Sequence, residues 1–135
     1  MKKRKKEQVY CHCGAKATLR PCSYVYGAKA KTNGYLYVCD RYPECDSYVG
    51  AHQKTLKPMG SLANGDLRYK RILAHKAFDW IWQSGLMSRR DAYLWLEVKL
   101  GVGHNQAHIA MLSEFMCDRL ITICSQMQKQ CHKAA

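Results

Sequence analysis

The chain has 135 residues, a formal net charge of +12 and eight cysteines. That length holds one ordinary domain or two very small ones, and a unit of ~60 residues buries too little surface to be robust without a metal, disulfides or a partner. No stretch approaches the ~18 apolar residues of a membrane span, and the basic start runs into Glu7-Gln8 instead of an apolar core, so neither a spanning helix nor a secretory leader is expected. The cysteines are therefore expected as reduced cytoplasmic thiols, with some of them placed as metal ligands.

The charge is uneven. Residues 1–60 hold 12 Lys/Arg and 4 Asp/Glu, and residues 61–135 hold 10 and 6. Lys2, Lys3, Arg4, Lys5 and Lys6 form one run, and residues 1–8 read as a disordered basic tail because such a run repels itself. A polyanion is the partner class that this balance favours, DNA before RNA. A solubilising tail is the plainer alternative.

Residues 9–50 read as a zinc ribbon. Ser23-Tyr24-Val25-Tyr26 and Tyr35-Leu36-Tyr37-Val38 are rich in β-favouring residues, and Asn33-Gly34 lies between them as a turn signal. The expected structure is a β-hairpin with a basic loop. Residues 51–62, with Pro58 and Gly60, read as an irregular linker. From residue 63 the period becomes helical. Leu67, Ile72, Phe78, Ile81 and Trp82 predict a helix over 64–84, stopped by Gly85. Ser88-Arg89-Arg90-Asp91 is a capping pattern that opens a second helix, with Ala92, Leu96 and Leu100 on one face and Gly101 at its end. A third segment starts near His104-Asn105 and breaks at Ser113, which could cap a last helix through Ile123 and Met127. The fold class is α+β: a ribbon followed by a small bundle of three or four helices over residues 63–135.

Zinc takes four soft ligands in a tetrahedron, and two close cysteine pairs on two turns supply them. The pairs here are Cys11 and Cys13, just before Gly14, and Cys39 and Cys45, with Tyr42-Pro43 between. The expected cofactor is one structural zinc ion. The first pair has one intervening residue where a knuckle usually has two, so His12 or Cys22 stays open as a replacement ligand. Buried free thiols are the bland reading.

The second pair, with an aromatic strand before it, resembles the C-terminal zinc ribbons of type I topoisomerases. The whole chain resembles a family of small zinc-finger-containing proteins from phages and prophages, of unassigned function. The likeness runs over residues 10–124 and is carried by Tyr10-Cys11, Cys13-Gly14, Tyr35 to Cys39, Tyr42-Pro43, Cys45 and Tyr48-Val49-Gly50. It continues through Lys57-Pro58-Met59-Gly60, Ala74-His75, Met87-Ser88-Arg89, Leu100-Gly101-Val102 and Ala107-His108-Ile109. The first knuckle departs from the family pattern by its missing residue. The resemblance implies a phage setting, a bacterial host cytoplasm and a zinc ribbon, but no reaction.

Ala92, Leu96 and Leu100-Gly101, followed by His104 to Leu112, resemble the middle of a helix-turn-helix. Asn105 and Gln106 would then stand on the recognition helix, where amides suit base edges. A plain helical bundle carries the same pattern equally well.

The first functional expectation is a non-catalytic, zinc-dependent nucleic-acid-binding protein. Its charge contacts would be Lys2, Lys3, Arg4, Lys5, Lys6, Arg20, Lys29, Lys31 and Arg41, and its stacking contacts Tyr24, Tyr26, Tyr35 and Tyr37. The second is a phage factor that grips a host or defence protein through the same basic surface. The third is a zinc-ribbon nuclease using histidines such as His104 and His108, which the scarcity of magnesium-holding carboxylates disfavours.

Overall fold

The computed structural model describes residues 8–31 and 33–133. The expected basic tail lies outside the described residues except for Gln8. The chain divides into two units, Met1–Gly65 and Asp66–Ala135, and the architecture is α+β, a cysteine-bearing antiparallel sheet followed by helices.

The first unit holds strands β1 (Val9–Tyr10), β2 (Lys16–Pro21), β3 (Tyr35–Cys39) and β4 (Tyr48–Gly50), paired antiparallel in that order. A tight turn joins β1 to β2. The Cys11 amide donates to the Ala15 carbonyl at 2.8 Å and the Gly14 amide to the Cys11 carbonyl at 3.0 Å. Gly14 sits at φ 91, a conformation that a Cβ would strain.

The hairpin differs from the expected one. The partner of β3 is β2, in register from Ala17 opposite Cys39 to Pro21 opposite Tyr35. Ser23–Tyr26, expected as a strand, is a single helical turn, α1, in which the amides of Val25 and Tyr26 both donate to the Cys22 carbonyl. β-favouring side chains need a strand alongside, and Lys16–Pro21 already occupies that place. Asn33-Gly34 forms no two-residue hairpin turn. The Cys22 amide donates to the Gly34 carbonyl at 2.9 Å and closes a longer loop.

Successive side chains of a strand alternate between the faces of a sheet. The registers put Ala17, Leu19, Tyr37, Cys39 and Val49 on one face, and Thr18, Arg20, Leu36, Val38 and Tyr48 on the other. The first face carries a core of Cys11, Cys39 and Leu62, with Val9, Ala15, Ala17, Tyr37, Cys45 and Val49 packed against it. Leu62 lies in the stretch read as a linker, yet it is buried in this core. Ala51 bridges Pro58, and Ala63 and Tyr48 exchange two backbone hydrogen bonds of 3.2 Å.

The second unit is built on α2 (Gly65–Gln83), whose first residue closes the preceding unit, with α3 (Arg89–Leu100) and α4 (Glu114–Lys133). Ser88 caps α3 by accepting from the Asp91 amide at 3.1 Å, and Gly101 ends it in the left-handed conformation, φ 65. Ser113 caps α4 by accepting from the Met116 amide at 3.2 Å.

The buried stripe of α2 is Leu67, Arg71, Ala74, Phe78 and Ile81. Ile72, expected in that stripe, is exposed, because five residues turn a helix about 140° away from Leu67. Arg71 takes the inward place, and its Nε donates to the Leu112 carbonyl at 3.1 Å. Ala92, Leu96 and Leu100 of α3 are buried, as are Cys117, Leu120 and Cys124 of α4. The seven-residue cysteine spacing is thus a core stripe in its first two members. Burial pushes the Cys124 thiol up to about 11.

The helix-turn-helix expectation is corrected. Where a recognition helix would lie, the chain makes two separate 3-10 turns, His104–Gln106 and Ile109–Met111. Ala107 and Ile109 turn inward and are buried, and the Leu112 carbonyl is held by Arg71. Asn105 and Gln106 therefore stand on an exposed three-residue turn.

Candidate metal centre and aromatic face

Two turns bring four thiols together. Cys11 directly follows β1 and Cys13 sits in the turn, before Gly14. Cys39 is the last residue of β3, held by its amide on the Ser47 carbonyl at 3.0 Å. The chain then turns back. The Tyr42 amide donates to Cys39 and the Cys45 amide to Arg41, across a cis Tyr42-Pro43 peptide bond, so that Cys45 returns to the same point.

The sulfurs of Cys11, Cys13, Cys39 and Cys45 all lie within 4.8 Å of one another. Cys11 Sγ is 3.6 Å from Cys45 Sγ, and Cys13 Sγ is 3.5 Å from Cys39 Sγ. A zinc–thiolate bond of about 2.3 Å makes the edge of an S4 tetrahedron about 3.8 Å. A disulfide needs about 2.05 Å, and all eight cysteines are free. The four thiols fit one structural zinc ion. The one-residue spacing of the first pair is accommodated because Cys11 and Cys13 approach different partners of the second pair.

His12 and Cys22, left open as replacement ligands, are outside this cluster; among the described residues the metal-capable group is the four cysteines alone. The thiols differ in surroundings. Cys11 and Cys39 are buried, Cys45 is half-buried and Cys13 is exposed. The Ala15 amide beside Cys13 draws its thiol down to about 7, and desolvation pushes Cys39 up to about 12. Binding zinc requires all four as thiolates, so the metal displaces the protons that the thiols still hold.

The opposite face of the sheet carries an aromatic surface. The Arg20 guanidinium lies over the Tyr24 ring, 5.0 Å from its centroid. Tyr24 in turn meets Tyr42 at 5.9 Å between centroids. Tyr26 stands edge-on to Tyr48 at 5.9 Å, with their hydroxyls 3.2 Å apart. Tyr24 and Tyr26 are 48% and 46% exposed. Sequence reasoning missed Tyr42 and Tyr48. Tyr42 stands beside Arg41 inside the second knuckle, and that adjacency was the available signal.

The other expected contacts fall elsewhere. Tyr37 packs into the metal-side core and its hydroxyl donates to the Leu56 carbonyl, so it acts as a structural residue. Tyr35 is exposed, at a position whose alternation matches Tyr37. Lys29, Lys31 and Arg41 are exposed. Lys2, Lys3, Arg4, Lys5 and Lys6 lie outside the described residues. The antiparallel register of β1, Val9 opposite Ala17 and Tyr10 opposite Lys16, leads the chain into the sheet from the end of β2 that bears Arg20.

A family model described as a zinc-finger-containing domain matches residues 6–130. No curated protein and no solved structure matches the chain. No helix among the described residues is long and apolar enough to cross a membrane.

Proposed function

The chain belongs to the family of zinc-finger-containing domains, and we propose that this protein is a non-catalytic, zinc-dependent nucleic-acid-binding module, with DNA as its partner. The single observation that carries the reading is the Arg20 guanidinium lying over the half-exposed Tyr24 ring, next to Tyr42. A planar cation beside open aromatic rings suits phosphates and base faces together. The basic run Lys2 to Lys6 adds five positive charges in the sequence just before β1. The metal's role is scaffolding. Four cysteines fill the zinc coordination sphere and leave no position for a reactive water. The likeness to phage and prophage zinc-finger proteins supports a phage setting for this binding.

Titration of a labelled oligonucleotide with full-length protein at several salt concentrations tests the reading. Binding should fall steeply with salt, because each neutralised phosphate releases condensed counterions. Deleting residues 2–6 should lower the slope of log K against log salt by about 3 to 5 and weaken all sequences alike. Absence of DNA and RNA binding at low salt would overturn the reading and leave a host or defence protein as the partner.

A further inference from the structure

We infer that Cys13 is a peroxide-sensitive modification site, at which oxidation bridges Cys13 to Cys39 and discharges the metal. The four metal-capable thiols differ in access. Cys11 and Cys39 are 5% and 2% exposed. Cys45 is half-buried, its sulfur 3.5 Å from the Ser47 hydroxyl, and Cys13 is exposed. Outside the cluster, Cys117 and Cys124 are buried, and Cys22 and Cys131 are half-buried. Among the described residues Cys13 is thus the one exposed cysteine. Oxidation of a thiolate follows its access to solvent, so an oxidant meets Cys13 first.

Exposure alone would leave an isolated oxidised sulfur. The geometry supplies a second thiol to take the reaction further. Cys39 Sγ lies 3.5 Å from Cys13 Sγ, and closing that gap to a disulfide of about 2.05 Å asks for a shift of about 1.5 Å. A Cys11–Cys13 bond would instead have to form across a single residue. The turn there is already fixed by the Cys11 amide on Ala15 and the Gly14 amide on Cys11. The bridge therefore crosses from the first knuckle to the second.

Hydrogen peroxide is the oxidant that balances the step. The Cys13 thiolate attacks one peroxide oxygen, an S–O bond forms, the O–O bond breaks, and the departing hydroxide takes a proton to leave as water. The Cys39 sulfur then attacks the sulfenic acid at Cys13. An S–S bond forms, the S–O bond breaks, and the second oxygen leaves as water with another proton. Two thiolates lose two electrons in all, and one peroxide becomes two waters. Two of the four sulfur ligands are then gone, too few to hold zinc. Cys11 and Cys45, 3.6 Å apart, are free to close in the same way with a second peroxide. Cys11 and Cys39 share the ribbon core with Leu62, so loss of the metal loosens that core while the bridge keeps the knuckles linked. Reductant and zinc should restore the site.

The test treats the zinc-loaded full-length protein with hydrogen peroxide, from about equimolar to about tenfold. No ligand is substituted, so the folded site itself is read. A chromogenic chelator follows zinc release, and differential alkylation with peptide mass mapping identifies the bridges. Zinc should be lost in step with the Cys13–Cys39 bridge, which lowers the mass by about 2 Da. Dithiothreitol with zinc should restore the parental content. Cys22→Ser, whose missing thiol lies outside the cluster, should release zinc at the parental rate. Full zinc retention at the highest dose, a first bridge that omits Cys13, or Cys13 carried to the sulfinic acid without a bridge overturns the inference. Slower release from Cys22→Ser also overturns it, because Cys22 would then be the resolving thiol.

Discussion

Asp46 Oδ2 accepts a hydrogen bond from the Gly65 amide at 3.1 Å. Asp46 directly follows the ligand Cys45, and Gly65 is the first residue of α2. A carboxylate at a helix start satisfies an orphan amide and complements the helix dipole. The turn that carries a metal ligand therefore also holds Gly65, the last residue of the ribbon unit. Asp46→Ala should cost about 1 kcal/mol, measured by denaturant melting, and should speed hydrogen exchange at Gly65. Asp46→Asn, which keeps an accepting oxygen, should cost less. Equal losses in the two variants would argue that the contact contributes nothing as a cap.

The two halves of the metal site should fail together. Cys39 is buried in the ribbon core beside Cys11 and Leu62, so Cys39→Ser should release zinc and unfold residues 9–50. Cys22→Ser should keep its zinc, since that thiol lies outside the cluster. Metal analysis of the two purified variants decides this, and zinc loss from Cys22→Ser would mean that the ligand set is wrong.

Chelation should act on one unit more than on the other. The helices have their own buried set, Phe78, Ile81, Leu96, Leu120 and Cys124 among them. Removing zinc should collapse the amide dispersion of residues 9–63 while most helical dichroism persists. Loss of both signals in one step would show that the helical unit depends on the metal.

Arg71 is 9% exposed, and burial pulls its basicity below the usual guanidinium range. Arg71→Ala should cost about 2 to 3 kcal/mol, because it leaves the buried Leu112 carbonyl without this donor. Thermal melting measures the loss, and zinc content should stay at the parental value. A cost below about 0.5 kcal/mol would show that water replaces the guanidinium without penalty.

Local chemistry made part of this legible in the sequence. Thiol pairs beside Gly14 and around Tyr42-Pro43 pointed to one ion, and Ser88, Gly101 and Ser113 marked helix ends, because both signals act within a few residues. What failed depended on distant partners. Tyr24 and Tyr26 have strand propensity, but β3 pairs with Lys16–Pro21, so they became a helical turn. The segment 104–112 has helical spacing, but Ala107 and Ile109 are drawn inward by the bundle and the helix is not formed. The pairing of Tyr42 with Tyr24 was invisible for the same reason: it joins residues eighteen apart through the fold of the knuckle.

Native mass spectrometry of the purified full-length chain tests the central claim most directly, that Cys11, Cys13, Cys39 and Cys45 together hold one structural zinc ion. The parent should carry one zinc per chain, lost in both Cys13→Ser and Cys39→Ser and retained in Cys22→Ser. A parent without zinc and with all eight thiols freely titratable in the folded state, or a Cys39→Ser protein with full zinc content, would contradict it.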